Sequence, residues 1–333
     1  MRQGVAFAGN LIVDRIRKID RLPKRSELAS IRGVGRSTGG ACNNAIGMTK
    51  LDPAMPVSVY GVVGTDGEGD YILAQLRQSG VDTDGVIRRG ETSFTDAYVE
   101  TELNCRTFFH FGGANDTFDV EDVPCGALQA QLFHVAYPLL LKTLDLPDRE
   151  YGTRLARLLA RVHKAGLATS LDVVSEDSDR YKTIVRPALA HTDYLTVNEL
   201  EAGRITGIPL TAGDGRLIEE NMPAALTRLL EYGVSRWAVI HAPQAAYGMD
   251  SDGQYVRLPG KRLPRGFIGG TVGAGDAFCT GVLLAACRGL SIGEALRYGN
   301  ASAIASLRAD TPNGSMVPIA EALALYEALP ANA

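Results

Sequence analysis

The chain is expected to fold as an α/β protein: a mostly parallel sheet covered on both faces by helices, with a small β lobe beside it. Three features predict this. Short apolar runs alternate with stretches of helical spacing, no repeat or Pro/Ser-rich linker divides the chain, and two segments break the alternation with β-type patterning. A length of 333 residues suits one large α/β domain, 1–333, with a modest accessory lobe. An apolar fraction of 45% with 22% charged residues supplies a sizeable core and excludes a disordered chain.

Taken in order, Val5–Ala8 is the first buried-strand candidate, and residues 12–38 hold short extended pieces. A helix is expected over Ala45–Leu51, a strand over Val57–Val63 and a helix over Tyr71–Gln78. Residues 86–111 (VIRRGETSFTDAYVETELNCRTFFHF) alternate polar and apolar positions, rich in β-branched and aromatic types, which suits antiparallel strands with no helix between them. Segments of roughly 12–38 and 86–111 are therefore expected to form one small β lobe at the C-terminal edge of the main sheet. Ligands of open α/β sheets bind at that edge, so the lobe reads as a lid. Strands are then expected at Leu132–Ala136, Ala168–Asp172, Tyr194–Val197 and Trp237–Ile240, and helices at Tyr151–Ala165, Ala224–Tyr232, Ala277–Arg288 and Ile292–Leu307.

A net charge of −4 without charge runs gives no positive field for nucleic acid or an acidic membrane surface. The longest apolar run, Gly281–Cys287, is too short to span a bilayer, and the apolar run in the opening MRQGVAFAGN is too short for a signal peptide. Five widely spaced cysteines, with no C-x-x-C, suit reduced thiols rather than a disulfide frame or a zinc site. A cytoplasmic location is the expectation.

The most informative segment is Gly269-Gly270-Thr271-Val272-Gly273-Ala274-Gly275-Asp276-Ala277-Phe278, a glycine-dense turn running into an apolar helix. Glycines let backbone N–H groups converge, and a new helix adds unpaired amides and the positive end of its dipole. Together they suit a phosphate. A carboxylate there would repel the same anion unless it serves as a base whose proton donor lies between them. The other reading of Asp276 is a helix N-cap. The dinucleotide fingerprint G-x-G-x-x-G near the first strand and the Walker loop G-K-[ST] are both absent.

With these residues in view, the chain resembles the PfkB, or ribokinase-like, carbohydrate kinase family over nearly its full length. Gly273-Ala274-Gly275-Asp276 resembles the C-terminal signature, and Gly39-Gly40-Ala41-Cys42-Asn43-Asn44-Ala45 is similar to the N-terminal one. Val63-Gly64-Thr65-Asp66-Gly67-Glu68-Gly69, Gly113-Ala114-Asn115 and Asn198-Glu199-Leu200-Glu201 match further motifs in the right order. The resemblance implies a ribokinase-like doubly wound, mostly parallel sheet flanked by helices with a small β-sheet lid. It also implies phosphoryl transfer from ATP, with Mg²⁺, to a hydroxyl of a sugar or nucleoside.

By that resemblance Asp276 is the base for the acceptor hydroxyl, and the amides of Gly273, Ala274 and Gly275 form an anion hole. Asp14, closing the first strand, is the substrate carboxylate, able to accept two hydroxyl hydrogen bonds; a solvated loop Asp is the alternative. Gly39, Gly40 and Asn43 are expected at the sugar, with Asn43 as a helix cap the alternative. Asn198 is implied at the nucleotide and Glu201 at Mg²⁺ through water, while the same pair can form a capping box. Asn300 is implied to line the adenine pocket. Asp66 carries a structural or substrate-adjacent expectation, Trp237 core packing, and Phe108, Phe109 and Phe111 lid packing or stacking on a ring.

Three departures stand out. The carboxylate that usually opens the last signature is here Gly270, which weakens a monovalent cation site. The usual Thr-x-Gly turn is replaced by Val239-Ile240-His241-Ala242-Pro243-Gln244-Ala245-Ala246, and the D-x-N-x-R segment by Leu171-Asp172-Val173-Val174-Ser175-Glu176. A nucleoside kinase of the same fold and a non-catalytic sugar-binding regulator derived from a kinase are the competing readings. Exposed lid edges suggest a homodimer.

Overall fold

In the structure, a computed structural model describing residues 2–100 and 105–332, nine strands build the large sheet. They are β1 (Val5–Gly9), β4 (Val57–Val63), β5 (Val86–Arg88), β8 (Leu132–Ala136), β11 (Ala168–Leu171), β12 (Tyr194–Asn198), β13 (Trp237–His241), β14 (Ala245–Asp250) and β15 (Tyr255–Pro259). Their spatial order is β15-β14-β13-β12-β11-β8-β1-β4-β5, parallel from β13 to β5, with β14 and β15 folding back antiparallel. The chain moves outward from β1 to β4 and β5, then returns to the other side at β8. The strand order therefore reverses between β1 and β8, and a crevice opens at their carboxyl ends.

Both faces of the sheet are covered, which is why its central strands read as continuous apolar runs; β1 and β8 are buried throughout. Along β1 the residues alternate between two cores. Ala6 and Ala8 face one built with α3 (Arg154–Lys164), α4 (Arg186–Leu189), α5 (Glu199–Thr206) and α6 (Met222–Glu231). Val5 and Phe7 face the other, built with α1 (Ala41–Leu51), α2 (Gly67–Gln78), α7 (Ala274–Cys287), α8 (Ile292–Ser306) and α9 (Ile319–Ala328). A two-residue pair, β9 (Pro147–Asp148) and β10 (Gly152–Thr153), precedes α3. No helix among the described residues is long and apolar enough to cross a membrane.

Helices α7 and α8 meet at two glycines. A Cβ at Gly281 would lie 2.4 Å from the Tyr298 carbonyl oxygen, and one at Gly299 would lie 2.8 Å from the Phe278 ring. Several helices begin earlier than the periodicity predicts: α1 at Ala41 rather than Ala45, and α2 at Gly67 rather than Tyr71. Asn43 and Asn44 in the first turn of α1, and Gly67, Glu68, Gly69 and Asp70 in that of α2, interrupt the apolar period.

The small sheet holds β2 (Leu11–Ile19), β3 (Ile31–Gly40), β6 (Phe94–Glu100) and β7 (Cys105–Phe111) in the order β3-β2-β6-β7. The expected antiparallel arrangement needs two corrections. Within each hairpin the strands are antiparallel, but β2 and β6 run parallel, from Val13 opposite Phe94 to Ile19 opposite Glu100. Each hairpin follows a strand of the parallel sheet, β1 or β5, which accounts for the shared direction of their first strands. Val86–Arg88, expected in the lobe, pairs instead with β4 in the large sheet. Residues 101–104 of the expected lobe lie outside the described residues.

Candidate active site

A cavity of about 620 Å³ lies between the small sheet and the carboxyl ends of the large sheet's strands. The small sheet contributes Ile12, Asp14, Thr95, Phe108 and His110, and the strand ends and helix starts contribute Tyr137, Asp172, Asn198, Glu201, Gly275 and Asp276. A buried asparagine between β1 and β2 is anchored to the end of β8 at the switch point. Asn10 donates its backbone N–H to the Ala136 carbonyl at 2.7 Å, and its side-chain oxygen accepts from Tyr137 N–H at 2.9 Å. Gly40, at φ +64°, carries the chain from β3 into α1; a Cβ there would lie 2.3 Å from the Asn10 carbonyl oxygen.

Asp276 sits in the first turn of α7, whose N-cap is Gly273 at φ +75° with no side-chain cap. The capping reading of Asp276 is thereby corrected: the helix has already begun two residues earlier, and the carboxylate turns away from its own amides. One oxygen accepts from Asn43 Nδ2 at 2.8 Å and the other from the Tyr137 hydroxyl. Asn43 is likewise no cap. It lies within α1 and accepts from the Thr38 hydroxyl at 3.2 Å, which fixes its amide toward Asp276. Burial pushes the Asp276 carboxyl up to about 6, against the lowering effect of the Tyr137 and Asn43 hydrogen bonds.

Asp14 projects from β2 into the same cavity. Burial, followed by the nearby charge of Asp276, pushes it up to about 7. Gly39 lies beside it: a Cβ at that position would fall 2.7 Å from the Asp14 carboxylate, so the glycine leaves room for the side chain. Neighbouring Asn44 is structural, donating to the Asp276 carbonyl at 3.2 Å and to Thr280 at 3.3 Å where α1 packs on α7.

At the end of β12, Asn198 and Glu201 form the capping box of α5. The Asn198 side chain accepts from Glu201 N–H at 2.9 Å, and Glu201 accepts from Asn198 N–H at 2.9 Å. Ser175 adds a hydroxyl to Glu201 at 2.7 Å. Asp172, at the end of β11, is buried and accepts the Val173 N–H at 2.8 Å. Burial first, then the charges of Glu201 and Asp276, hold Asp172 well above the usual carboxylate range, while burial pushes Glu201 up to about 7. Two hard oxygen ligands that repel each other suit a divalent cation such as Mg²⁺, whose charge would relieve them both.

A second cavity of about 490 Å³ adjoins the first and shares Asn198, His241 and Gly275 with it. Its walls include Leu263, Ile268, Ala303, Ile304 and Leu307, and Asn300 adds an amide that also reaches Tyr326. Apolar walls with a side-chain amide among them fit a nucleobase. His241 stacks on Phe278 at 4.9 Å between ring centroids, and burial pushes it down to about 4, so it stands between the cavities as a neutral ring.

The first cavity thus gathers Asp14, Gly40, Asn43, Gly273, Gly275, Asp276, Asn198 and Glu201. Ala274 and Asn300 line the second, and Gly39 lines neither. Asp66 is structural: it caps α2 through Gly69 N–H at 2.9 Å and accepts from Thr92 N–H at 2.7 Å. Sequence reasoning missed Tyr137 and His241 and gave Asp172 no role. Each stands at the carboxyl end of a parallel strand, and that position is the signal that could have found them. Phe108 lines the cavity, Phe109 packs edge-on against Tyr98, and Phe111 stacks on Phe94, so the three lid rings play different parts. Trp237 is half-buried, packed against the core on that face of the sheet and edge-on to Tyr194.

Comparison with known proteins adds family and fold. The model of the pfkB family carbohydrate kinases matches residues 2–318. An ATP-dependent ribose-1-phosphate kinase from Halopiger xanaduensis is 26% identical over 329 residues, covering 97% of each chain. A 2-dehydro-3-deoxygluconokinase from Bacillus subtilis is 27% identical over 299 residues, covering 86% of this chain and 85% of its own. Among solved structures, Arabidopsis thaliana ribokinase complexed with ribose and ATP superposes with a TM-score of 0.77. It is 23% identical and covers 98% of this chain and 99% of its own.

Proposed function

The chain belongs to the pfkB family of carbohydrate kinases, and from that premise we propose that it transfers the γ-phosphoryl group of ATP to a hydroxyl of a sugar or related polyol, with Asp276 as general base. One observation carries the reading: the Asp276 carboxylate opens on the acceptor-side cavity from the first turn of α7, where the two cavities share Gly275.

In this reading Asp14 accepts hydroxyl hydrogen bonds from the acceptor, and Gly40 and Asn43 complete its seat. Asp276 takes the proton of the attacking hydroxyl as the new oxygen–phosphorus bond forms and the bond to the leaving ADP oxygen breaks, the electron pair departing with ADP. The amides of Gly273, Ala274 and Gly275 receive the charge on the phosphoryl oxygens, and the start of α7 adds its dipole. Asn300 meets the nucleobase and Asn198 the nucleotide phosphates. Glu201 and Asp172 would hold Mg²⁺, which when bound supplies neutralising charge to the phosphates. Positioning and electrostatics provide most of the acceleration, and general-base help supplies about 10²–10⁴-fold. Asp276→Asn is therefore expected to retain ATP binding and lose at least about 100-fold in kcat. Near-normal turnover by this variant would remove Asp276 from the role.

A second reading, nucleoside phosphorylation, draws on one observation: Phe108 lines the acceptor-side cavity and is 60% exposed, a ring available to stack on a base. Comparing adenosine and inosine with ribose, fructose and inositol as acceptors separates the two. The relatives' own names include a phosphorylated and an acidic acceptor, so the family alone leaves the acceptor's charge open. We also place the protein in the cytoplasm, in keeping with five free cysteines. A homodimer through the small sheet is part of the proposal, since Leu28, Val34 and Phe109 expose apolar surface along it. Sedimentation at micromolar concentration is expected to give twice the chain mass; a monomer would remove the dimer.

A further inference from the structure

Resting on the kinase reading, we propose that the acceptor is an uncharged hydroxyl compound and that this site rejects acceptors bearing a phosphate or carboxylate. Five carboxylates line the acceptor-side cavity, from Asp14, Asp172, Glu176, Glu201 and Asp276, and among the described residues no lysine or arginine does. Glu176 is paired with Arg180, and Asp172 and Glu201 are assigned to Mg²⁺ in the kinase reading, which leaves Asp14 and Asp276 facing the acceptor. Its two histidines do not offset them. His241 is a buried neutral ring, and burial holds His110 below its ordinary value although Asp116 pulls the other way.

An adjoining cleft of about 410 Å³, which shares His110 and Leu140 with the cavity, does hold cations. There Arg180 donates to the Leu139 carbonyl at 2.8 Å, to Asp145 at 3.2 Å and to Glu176 at 3.3 Å, so its guanidinium is already matched. Lys142 also lines this cleft, but so does Asp116. The cleft therefore offers no net positive charge to an anionic substituent reaching out of the cavity.

What the acceptor end does offer fits hydroxyls and carbon-bound hydrogens. Carboxylates accept from hydroxyl groups, and Ile12, Phe108, Leu140 and Val173 supply apolar faces. The acidic groups already repel one another, and burial with the Asp276 charge keeps Asp14 up to about 7. A further fixed negative charge must either be repelled or force proton uptake. The amides at the start of α7 border both cavities, and in the kinase reading the donor's phosphates take them up, so that with donor bound they give the acceptor no relief.

Isothermal calorimetry on the full chain saturated with a non-hydrolysable ATP analogue and Mg²⁺ tests the proposal with matched pairs: ribose and ribose 1-phosphate, fructose and fructose 1-phosphate, glucitol and gluconate, adenosine and AMP. The uncharged member of a binding pair is expected to bind at least tenfold tighter at low salt. That gap should narrow as sodium chloride rises, because only a charge effect is screened. An anionic member binding equally or more tightly overturns the proposal, and so does a panel in which no uncharged compound binds. ADP release on the same panel separates this proposal from the kinase reading. Faster release with an anionic acceptor overturns the proposal alone. Uncharged binding without phosphoryl transfer to any member overturns the kinase reading alone.

Discussion

Both oxygens of Asp276 already accept hydrogen bonds, one from Asn43 and one from Tyr137, and each oxygen keeps a lone pair for an incoming hydroxyl. The Tyr137 bond has a chemical consequence. It stabilises the charged carboxylate, opposing the burial that raises its pKa to about 6. Tyr137→Phe removes that donor, so the carboxyl should hold its proton to higher pH. If Asp276 is the base, the acidic limb of kcat/KM moves upward in pH in this variant, by roughly half a unit or more, while the alkaline limb stays in place. A pH–rate profile that drops uniformly without moving would assign Tyr137 to packing alone. Asp14, Asn43 and Asp276 could be read from sequence because they lie in or beside compact local motifs. Tyr137 could not: it lies 139 positions from Asp276, and only the placement of β8 beside β1 brings it to the same cavity.

At the scale of elements, α7 is held by glycines for two different reasons. Gly273 supplies the left-handed residue from which the helix departs, and Gly281 supplies the space in which α8 crosses. Intrinsic propensity favours Gly281→Ala by about 1 kcal/mol. The added methyl would, however, stand 2.4 Å from a backbone oxygen, which cannot move aside as a flexible side chain can. Overpacking of this kind costs about 1–3 kcal/mol, so the net effect should be destabilising. A lowered urea midpoint with an unchanged slope is the expected result, and a raised midpoint would show that the helix pair has slack. Most of the strands and helices could be located in the sequence because two-sided burial and amphipathic spacing write themselves into apolar periodicity. The helix starts could not, since the Asn43-Asn44 pair in α1 and the Gly67-Glu68-Gly69-Asp70 turn of α2 interrupt the apolar period. Nor could the parallel pairing of β2 with β6. Alternation reports which face is buried and is silent on the direction of the neighbour.

For the molecule as a whole, two cavities meeting at His241 and Gly275 imply two separable ligand responses. A ligand present at one hundred times its Kd stabilises the folded state by about 2.7 kcal/mol, which is several degrees in Tm. Asn300→Ala, which empties an amide from the second cavity only, should reduce the Tm rise given by MgATP by at least half and leave the rise given by an uncharged polyol unchanged. Equal loss of both responses would show that the cavities do not act as separate seats.

The small sheet has a consequence of another kind. Its two hairpins come from distant stretches of chain, yet β2 and β6 are stitched together through seven residue pairs, from Val13–Phe94 to Ile19–Glu100. Chimaeras that exchange one hairpin between relatives will carry mismatched seams unless the other travels with it. Recombination should therefore inherit residues 11–40 and 94–111 as one linked cassette, although some fifty residues of unrelated scaffold lie between them.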